Sequence, residues 1–467
     1  MNLDVVFGYA PYGAGLGIAV LLVWAVIVLV RYARADPLTR QSIRQARRIR
    51  WGWKRLARMA NLSVTDKTPT FMASLTAKDG QKPEPRVLIP AVKTTPDRFG
   101  VIVHANCLPQ VGLEEFQKSA RFLADAWRCV RVSVAPAEHP GQVILRAVRQ
   151  DPLATKTTHT PSGKPPADIT RWELGWDEYA TPIAIDLANV PGVTVAGLPG
   201  YGKTSFINRL ICDFAPSPLV QIAVVDGKSA RAEHGDYASV APRLFRFVGD
   251  DLEAANRFFK EMVQLRVDRT ALVKAVFGTS NMWHHGPTED WPLVIVIVDE
   301  AHTFFRDYKG SDPATKKLAA LSAENARLVE DLTKKGRSVG MLTIPATQKA
   351  TGDALPTFIR DVCPVGLSFA QKTTDAAVAA LGDDIRKWDD VNPITLQDPK
   401  YVGVAVMAAQ NRVGFVRIRT PYVADADAER VAEQTAHLTR DPAKLLARYG
   451  HLSLDKTPPP DDLPTAA

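Results

Sequence analysis

Cysteine is scarce in this chain of 467 residues, and no two cysteines lie close together. Cys107, Cys129, Cys212 and Cys363 form no CxxC pair. This spacing argues against a zinc site of the usual kind and against a disulfide framework. We therefore predict reduced cysteines that pack in the core of a cytosolic protein.

Excess positive charge is also absent outside one short segment. The chain has a formal net charge of +8. Residues 31–60 contain ten Lys or Arg and one acid, Asp36, so the remainder of the chain carries about −1. The basic pI is consequently a property of that segment, and it is not evidence that the rest of the chain binds nucleic acid.

Long uncharged apolar runs are equally rare, and the run of membrane-spanning length is AGLGIAVLLVWAVIVLV at residues 14–30. Its length, with Tyr12 and Tyr32 as flanking aromatics, predicts a slightly short transmembrane helix. A cleaved signal peptide would need positive charge before the run, where the only charged side chain is Asp4. Since the basic residues follow the run, the positive-inside rule predicts a short external N-terminus (residues 1–32 with the helix) and a cytoplasmic remainder, anchored in the cell membrane.

The basic segment after this run contains Trp51, Trp53 and Leu56 among its arginines. This mixture favours a juxtamembrane helix that lies on anionic lipid. Nucleic acid is the alternative partner for the segment.

Composition and periodicity divide the remaining chain. Residues 151–170 are polar and proline-rich without periodicity, which indicates a linker, and the last residues have the composition of a disordered tail. The predicted regions are a basic juxtamembrane segment at 33–85, a small α/β domain at 86–150, a linker at 151–170, an α/β motor at 171–441 and a tail at 442–467.

A phosphate-binding loop is predicted in VTVAGLPGYGKTS, where Gly197 is followed after four residues by Gly202, Lys203 and Thr204. In such a loop the backbone N–H groups surround the phosphates, the lysine reaches the β and γ oxygens, and the threonine hydroxyl holds Mg²⁺. A β-branched run precedes the loop and a helix-like segment follows it, as this site requires. We predict ATP and Mg²⁺ as ligands, with Thr204 on the metal and the loop residues Gly197, Leu198, Pro199, Gly200, Tyr201, Gly202, Lys203, Thr204 and Ser205 on the nucleotide.

An acidic pair, Asp299 and Glu300, ends the apolar run LVIVIV. An uninterrupted apolar strand is typical of a central parallel strand, and ligands bind at the carboxyl ends of such strands. We predict that Asp299 joins the Mg²⁺ shell and that Glu300 acts as general base on the attacking water. Strand patterns at 220–226, 244–248, 341–346 and 365–369 alternate with helix patterns at 251–277 and 314–335, which predicts an α/β fold.

Residues 173–441 resemble the FtsK/SpoIIIE DNA translocases. The resemblance lies in the lead-in LGWDEYATPIAIDLANVPGVTVAGLPGYGKT, in VVDGKSA with Asp226 and Lys228, and in DLTKKGRSVGMLTIPATQKA. It implies a RecA-like P-loop motor with a mainly parallel central sheet. By position it implies that Gln348 senses the γ-phosphate or orients water, and that Arg337 is offered to a neighbouring subunit's nucleotide. Arg337 as a helix cap, Gln348 as an ordinary turn residue, and Asp226 with Lys228 as a simple ion pair are the alternatives.

The resemblance also implies a hexameric ATPase that moves double-stranded DNA. The single predicted membrane helix and the short segment after residue 441 are more similar to actinobacterial conjugative transfer proteins, which work with accessory DNA-transfer proteins, than to chromosome-segregating members. A protein-secretion ATPase, a chromosome-segregating DNA pump and a non-catalytic nucleotide-dependent tether are the alternatives. Arg306, Lys309 and Lys349 are predicted DNA-contacting residues, with solvated surface charge as the alternative.

Overall fold

The computed structural model describes residues 30, 32–66, 86–348, 350–352, 354–409 and 414–452, and the chain divides between Pro152 and Leu153 into two compact units. The predicted membrane helix at 14–30 and the end of the predicted tail lie outside the described residues, apart from Val30. Among the helices that the structure describes, none is long and apolar enough to span a bilayer.

The smaller unit contains a four-stranded antiparallel sheet in the order β3-β4-β6-β5 and a separate two-stranded pair, β1-β2. Its elements are α1 (Pro37–Met59), β1 (Val64–Asp66), β2 (Arg86–Leu88), β3 (Val92–Pro96), β4 (Gly100–Asn106), α2 (Leu113–Trp127), β5 (Arg131–Pro136) and β6 (Gln142–Val148). Residues 86–96 thus contain two short strands, β2 and β3, that belong to different sheets.

The core of the smaller unit lies between one face of this sheet and the two helices. Val101, Val103 and Ala105 alternate inward along β4, as expected for a strand with one buried face. From α1, Trp53 enters this core, where it stacks on Phe116 at a centroid distance of 6.5 Å. Its indole N–H donates to the Pro90 carbonyl at 2.6 Å. The prediction that Trp53 lies on lipid is therefore wrong, because the helix uses this residue to bury its apolar face.

The larger unit is built on a ten-stranded sheet in the order β11-β10-β12-β13-β9-β14-β15-β16-β7-β8. The strands are β7 (Arg171–Asp177), β8 (Pro182–Asp186), β9 (Val193–Ala196), β10 (Val220–Asp226), β11 (Leu244–Val248), β12 (Leu293–Asp299), β13 (Met341–Thr347), β14 (Val365–Ser368), β15 (Val404–Ala408) and β16 (Phe415–Arg419). The strands from β11 to β14 pair in parallel, whereas those from β14 to β8 pair antiparallel. The predicted mainly parallel sheet is thus a mixed one, because two hairpins extend its parallel half.

Helices cover both faces of the parallel half. They are α3 (Lys203–Phe214), α4 (Leu252–Phe277), α5 (His302–Phe305), α6 (Pro313–Gly336), α7 (Thr357–Arg360), α8 (Thr374–Leu381), α9 (Asp425–Thr435) and α10 (Pro442–Leu446). The Asp251 carboxylate caps α4 by accepting from the amides of Glu253 and Ala254, and Gly278 ends it at φ 69°.

Burial on both faces explains the uninterrupted apolar strands. All seven residues of β10 and of β12 are buried. Alternate side chains pack with α3 and α9 on one face and with α4 and α6 on the other. The strand that leads into the phosphate-binding loop, β9, is separated from the acidic-pair strand, β12, by β13. This is a RecA-like ATPase fold, with the predicted site at the carboxyl edge of the parallel strands.

The segment predicted as a linker lies on the larger unit. Leu153 is fully buried beside β15 and β16, and Thr158 forms a bridge with Tyr422. His159 contacts the Asp213 carboxylate at 2.7 Å. Residues 153–170 therefore belong structurally to the larger unit.

Candidate functional site

The loop between β9 and α3 is shaped by glycines. Gly200 and Gly202 have φ values of 79° and 102°, in the left-handed region that a side chain disfavours. A Cβ on Gly197 would lie 2.5 Å from the Cβ of Phe369, whereas a Cβ on Gly200 would meet nothing within 4 Å. The loop is therefore tightly packed against Phe369 at Gly197 and open to solvent at Gly200, which fits the approach of a phosphate group.

Hydrogen bonds from neighbouring segments hold this loop in place. The Leu198 amide donates to the Ala370 carbonyl at 2.9 Å, and the Gly403 amide donates to the Tyr201 carbonyl at 3.0 Å. The Tyr201 hydroxyl donates to the Gln397 carbonyl at 2.8 Å. These bonds fix the sides of the loop, while the first N–H groups of α3 have no partner within the helix and favour an anion.

The remaining predicted loop residues lie around this opening. Pro199 is exposed, whereas Thr204 and Ser205 are half-buried in the first turn of α3. The hydroxyl of Thr204 and the carboxylate of Asp299 remain the predicted Mg²⁺ ligands. In the described parts of the chain, no group of three or more His, Cys, Asp or Glu side chains is placed to hold a metal ion by itself.

Lys203 and Asp299 form a buried ion pair at the centre of the site. The Lys203 side chain is 3% exposed and the Asp299 side chain is fully buried. Burial alone would raise the pKa of the Asp299 carboxyl, but the ammonium groups of Lys203 and Lys228 outweigh this effect and hold the pKa below its ordinary value. The structure therefore brings the predicted phosphate-binding lysine and metal-binding aspartate together in one ion pair.

The second oxygen of Asp299 has partners of its own. Tyr237 donates its hydroxyl to Asp299 Oδ2 at 2.9 Å, and Lys228 Nζ lies 3.7 Å from the same atom. Lys228 Nζ also contacts Asp236 Oδ2 at 3.1 Å. Sequence reasoning missed Tyr237 and Asp236, because they lie in an irregular segment without a motif.

Asp226 lies beside Asp299 in the register of β10 and β12. Its Oδ1 accepts the Lys228 amide at 3.0 Å, whereas its buried Oδ2 has no partner among the described residues. Burial raises the pKa of the Asp226 carboxyl to about 6. The suggested ion pair between Asp226 and Lys228 is thus a backbone hydrogen bond, while the Lys228 ammonium contacts Asp299 and Asp236.

Glu300 and Gln348 meet at the ends of β12 and β13. Glu300 has a φ of 49°, which is uncommon for a residue with a side chain. The backbone N–H of Glu300 donates to Asp299 Oδ1 at 2.8 Å, and Glu300 Oε2 accepts from the backbone N–H of Gln348 at 3.3 Å. The strained turn thus places the Glu300 carboxylate beside the backbone N–H of Gln348 at the end of β13, a placement suited to a base that activates water.

Arg337 lies elsewhere. It is the C-cap residue of α6 and precedes β13, so it lies at the amino edge of the sheet, opposite the loop. Its guanidinium donates to the Ala188 carbonyl at 3.4 Å. The structure does not bring Arg337 to the site within one chain, and both the helix-cap role and a role towards a neighbouring subunit stay open.

The predicted DNA contacts at Arg306, Lys309 and Lys349 stay predictions. Arg306 and Lys309 are exposed, with Arg306 over the Tyr308 ring at 4.4 Å and Lys309 Nζ 3.9 Å from Asp307 Oδ2. Lys349 lies outside the described residues.

Comparisons with known proteins identify the same region. The FtsK/SpoIIIE family model matches residues 168–284. A DNA translocase FtsK of Leptospira interrogans is 24% identical over 313 residues, covering 63% of this chain and 30% of that protein. DNA translocase FtsK 1 of Neisseria meningitidis is 24% identical over 327 residues, covering 62% of this chain and 38% of that protein. The chain therefore spans about a third of the length of these relatives.

Two solved structures are also similar. The conjugation coupling protein TcpA, solved as a monomer with ATPγS, has a TM-score of 0.48 and 18% identity, covering 77% of this chain and 93% of its own. The cytoplasmic domain of the type VII secretion ATPase EccC from Thermomonospora curvata has a TM-score of 0.45 and 16% identity, covering 63% and 34%. The segment that matches the FtsK/SpoIIIE family model, residues 168–284, includes the loop between β9 and α3.

Proposed function

We propose that this protein is a membrane-anchored, ATP-driven translocase of double-stranded DNA that serves conjugative transfer between bacterial cells. The observation that carries the proposal is the convergence of Lys203, Asp299, Glu300 and Gln348 at one sheet edge. The family match over residues 168–284 supports a DNA substrate, since the curated relatives are named DNA translocases.

ATP with Mg²⁺ supplies the γ-phosphoryl group whose transfer to water drives the motor. The amides of residues 200–205 bind the phosphates, and Lys203 neutralises them. The Thr204 hydroxyl and the Asp299 carboxylate would hold the metal. Glu300 accepts the proton of the attacking water, and the backbone N–H of Gln348 holds the Glu300 carboxylate in place.

Lys203 is bonded to Asp299 in the described arrangement, so its ammonium must exchange a carboxylate for phosphate oxygens. Asp299 keeps three other partners through this exchange, namely the Glu300 amide, the Tyr237 hydroxyl and the Lys228 ammonium. These partners hold the carboxylate in position while Lys203 is engaged elsewhere. The site can therefore alternate between two arrangements without a buried, unpaired charge.

The proposed assembly is a homo-oligomer, with a hexamer as the expected form. Arg337 lies at the opposite sheet edge from the site of its own chain, so it would act on a neighbouring subunit's nucleotide. The proposed topology places the N-terminus outside the cell and the motor in the cytoplasm, with residues 14–30 as the anchor. Accessory DNA-transfer proteins would deliver the substrate.

ATP hydrolysis by the full chain in lipid nanodiscs tests the proposal. We expect slow hydrolysis alone and at least about tenfold faster hydrolysis with double-stranded DNA, because assembly on the duplex completes each site. Lys203→Ala should abolish both rates. Stimulation by single-stranded DNA or by a secreted protein, without stimulation by duplex, would instead favour a helicase or a secretion ATPase.

A further inference from the structure

Helix α1 has two faces of opposite character. Ala46, Ile49, Trp53 and Ala57 are buried against the sheet of the smaller unit. The opposite face carries a basic stripe at successive helical spacings of three and four residues, and all of its members are exposed. We call this stripe the basic face: Arg44, Arg47, Arg48, Lys54, Arg55 and Arg58, with Trp51 at its centre.

Trp51 is the most unusual member of the basic face. Its side chain is 86% exposed, although an indole is largely apolar. Arg47, Arg48, Lys54 and Arg55 surround it at one helical turn in either direction. An exposed tryptophan within a ring of cations is the arrangement that binds at the interface of a bilayer, where the ring enters the headgroup layer and the charges remain on phosphates.

The cations of the basic face differ from most surface cations in their partners. None of the six is in an ion pair with a carboxylate of the described residues, and the only acid within α1 or its first cap is Asp36, whose carboxylate accepts from Leu38 and Thr39. By contrast, three exposed lysines of α6 are paired with carboxylates: Lys317 with Glu253 at 2.6 Å, Lys334 with Glu330 and Lys335 with Asp331. The basic face therefore presents charge that an anionic surface can neutralise.

The chain before α1 connects this face to the apolar run at residues 14–30. Tyr32 follows that run by two residues, and its hydroxyl accepts from the Arg44 guanidinium at 3.0 Å. Arg40 and Arg44 both lie within about 6 Å of the Tyr32 ring centroid, at 5.9 and 6.0 Å. Tyr32, which follows the apolar run in the sequence, therefore lies beside Arg40 and Arg44 near the start of α1. This closeness in sequence to a run of membrane-spanning length favours a lipid occupant over nucleic acid.

We propose that the basic face of α1 lies on the surface of an anionic phospholipid bilayer, with Trp51 among the headgroups, while the buried face holds the smaller unit against that surface. The inference rests on the membrane attachment in the proposed function. It adds a second contact, which fixes the orientation of the smaller unit relative to the bilayer and does not depend on hydrolysis.

Fluorescence quenching by brominated phosphatidylglycerol in nanodiscs tests the contact with the full chain. The bromines are placed at the headgroup end of the acyl chain. Because the chain has nine tryptophans, the fluorescence of Trp51 is obtained by subtracting the signal of the Trp51→Phe variant, and that of Trp24 by subtracting the signal of Trp24→Phe. We expect a quenched Trp51 component that falls at least about twofold when NaCl is raised to 1 M, because salt screens contacts with headgroups. The Trp24 component, within the apolar run, should not change with salt.

A variant with Arg47, Arg48, Lys54 and Arg55 replaced by Gln should lose the Trp51 component. These side chains are exposed, so the fold should persist, which the unchanged Trp24 component and circular dichroism would verify. The matched control replaces Lys316, Lys317, Lys334 and Lys335 of α6 by Gln, with the same change in charge, and should retain full quenching.

The outcomes separate the two ideas. Quenching of Trp24 without quenching of Trp51 would overturn the lipid contact of α1 and leave the membrane anchor intact. Quenching of neither would overturn both. Loss of duplex DNA binding in the four-residue variant, with Trp51 quenching unchanged, would assign the basic face to nucleic acid.

Discussion

Buried cations lie at both the carboxyl and the amino ends of the parallel strands, which we call the carboxyl edge and the amino edge, but their partners differ. At the carboxyl edge, Lys203 is paired with the Asp299 carboxylate. At the amino edge, Arg243 donates to the carbonyls of Ala215, Ser217 and Val220, at 2.8, 3.0 and 2.8 Å. Arg269, also at the amino edge, donates to the carbonyls of Val339 and Gly340 at 3.0 and 3.3 Å.

The difference in partners distinguishes a cation that can take part in catalysis, Lys203, from cations that only stabilise the fold, Arg243 and Arg269. Burial lowers the pKa of Arg243 to about 10 and that of Arg269 to about 9, and no carboxylate of the described residues pairs with either guanidinium. Backbone carbonyls keep their positions in the folded chain, so these arginines hold the segments before β10 and β13 in place. A lysine between a carboxylate and an open glycine loop can change partners. A buried charge is therefore a sign of function only when its partners are exchangeable.

The largest expected effect is at Lys203. Lys203→Met should reduce ATP hydrolysis at least about a thousandfold, because it removes the cation that faces the β and γ phosphates. The free energy of unfolding should change by less than about 2 kcal/mol, since Asp299 retains Lys228 and Tyr237 as partners. Hydrolysis assays and urea unfolding of the same preparation measure both quantities. A large loss of stability would make this edge structural, like the opposite one.

Glu300→Gln should lower hydrolysis at least about a hundredfold and leave ATP binding within about threefold, because the change removes the base and keeps the size. Asp299→Asn is the matched comparison, and it should weaken Mg²⁺-dependent binding as well. Fluorescent nucleotide titrations with and without Mg²⁺ distinguish the two. Equal affinity and turnover in both variants would show that the roles of the two carboxylates are wrongly assigned.

Arg243→Met carries the comparison to the amino edge. The change leaves the Ala215 carbonyl without its donor and should lower the free energy of unfolding by about 3 kcal/mol. ATP hydrolysis per folded molecule should remain within about twofold, because the site lies at the other edge. Urea unfolding and hydrolysis at a temperature well below the transition check both parts. A loss of turnover as large as that of Lys203→Met would contradict the separation of the two edges.

The smallest expected effect is a gain of stability at Asp226. Burial raises the pKa of this carboxyl to about 6 in the native state, whereas in the unfolded chain the pKa is about 4. Between these two pH values the native state holds the proton and the unfolded chain does not. The stability of the protonated form is therefore present below about pH 4 and is lost as the pH rises through about 6. Asp226→Asn should stabilise the nucleotide-free protein by about 2 kcal/mol at pH 8 and by almost nothing at pH 4.

Thermal unfolding across this pH range tests the Asp226 prediction. Asp268→Asn, at an exposed position on α4, is the control and should show no pH-dependent gain. A gain at Asp226→Asn that is the same at pH 4 and pH 8 would assign the effect to packing and not to the buried charge.

Local sequence determined the parts of this protein whose signals are contiguous. The glycine spacing after Val193–Ala196, the apolar run ending in Asp299 and the helix pattern at 251–277 predicted the loop, the central strand and a long helix, and the structure has each of them. Such features depend on neighbouring backbone geometry and on burial of both faces of a strand, which a short stretch of sequence specifies.

Tertiary structure alone decided which distant residues meet. Lys203 and Asp299 are 96 residues apart, and Tyr237 is 62 residues from the carboxylate that it contacts. The order of the strands in the sheet brings these residues together, and no local sequence pattern specifies that order. Trp51 and Trp53 have nearly the same sequence surroundings, yet one is 86% exposed and the other 3%. The reason is geometric: a step of two residues turns a helix by about 200°, so only packing against the sheet selects which side is buried.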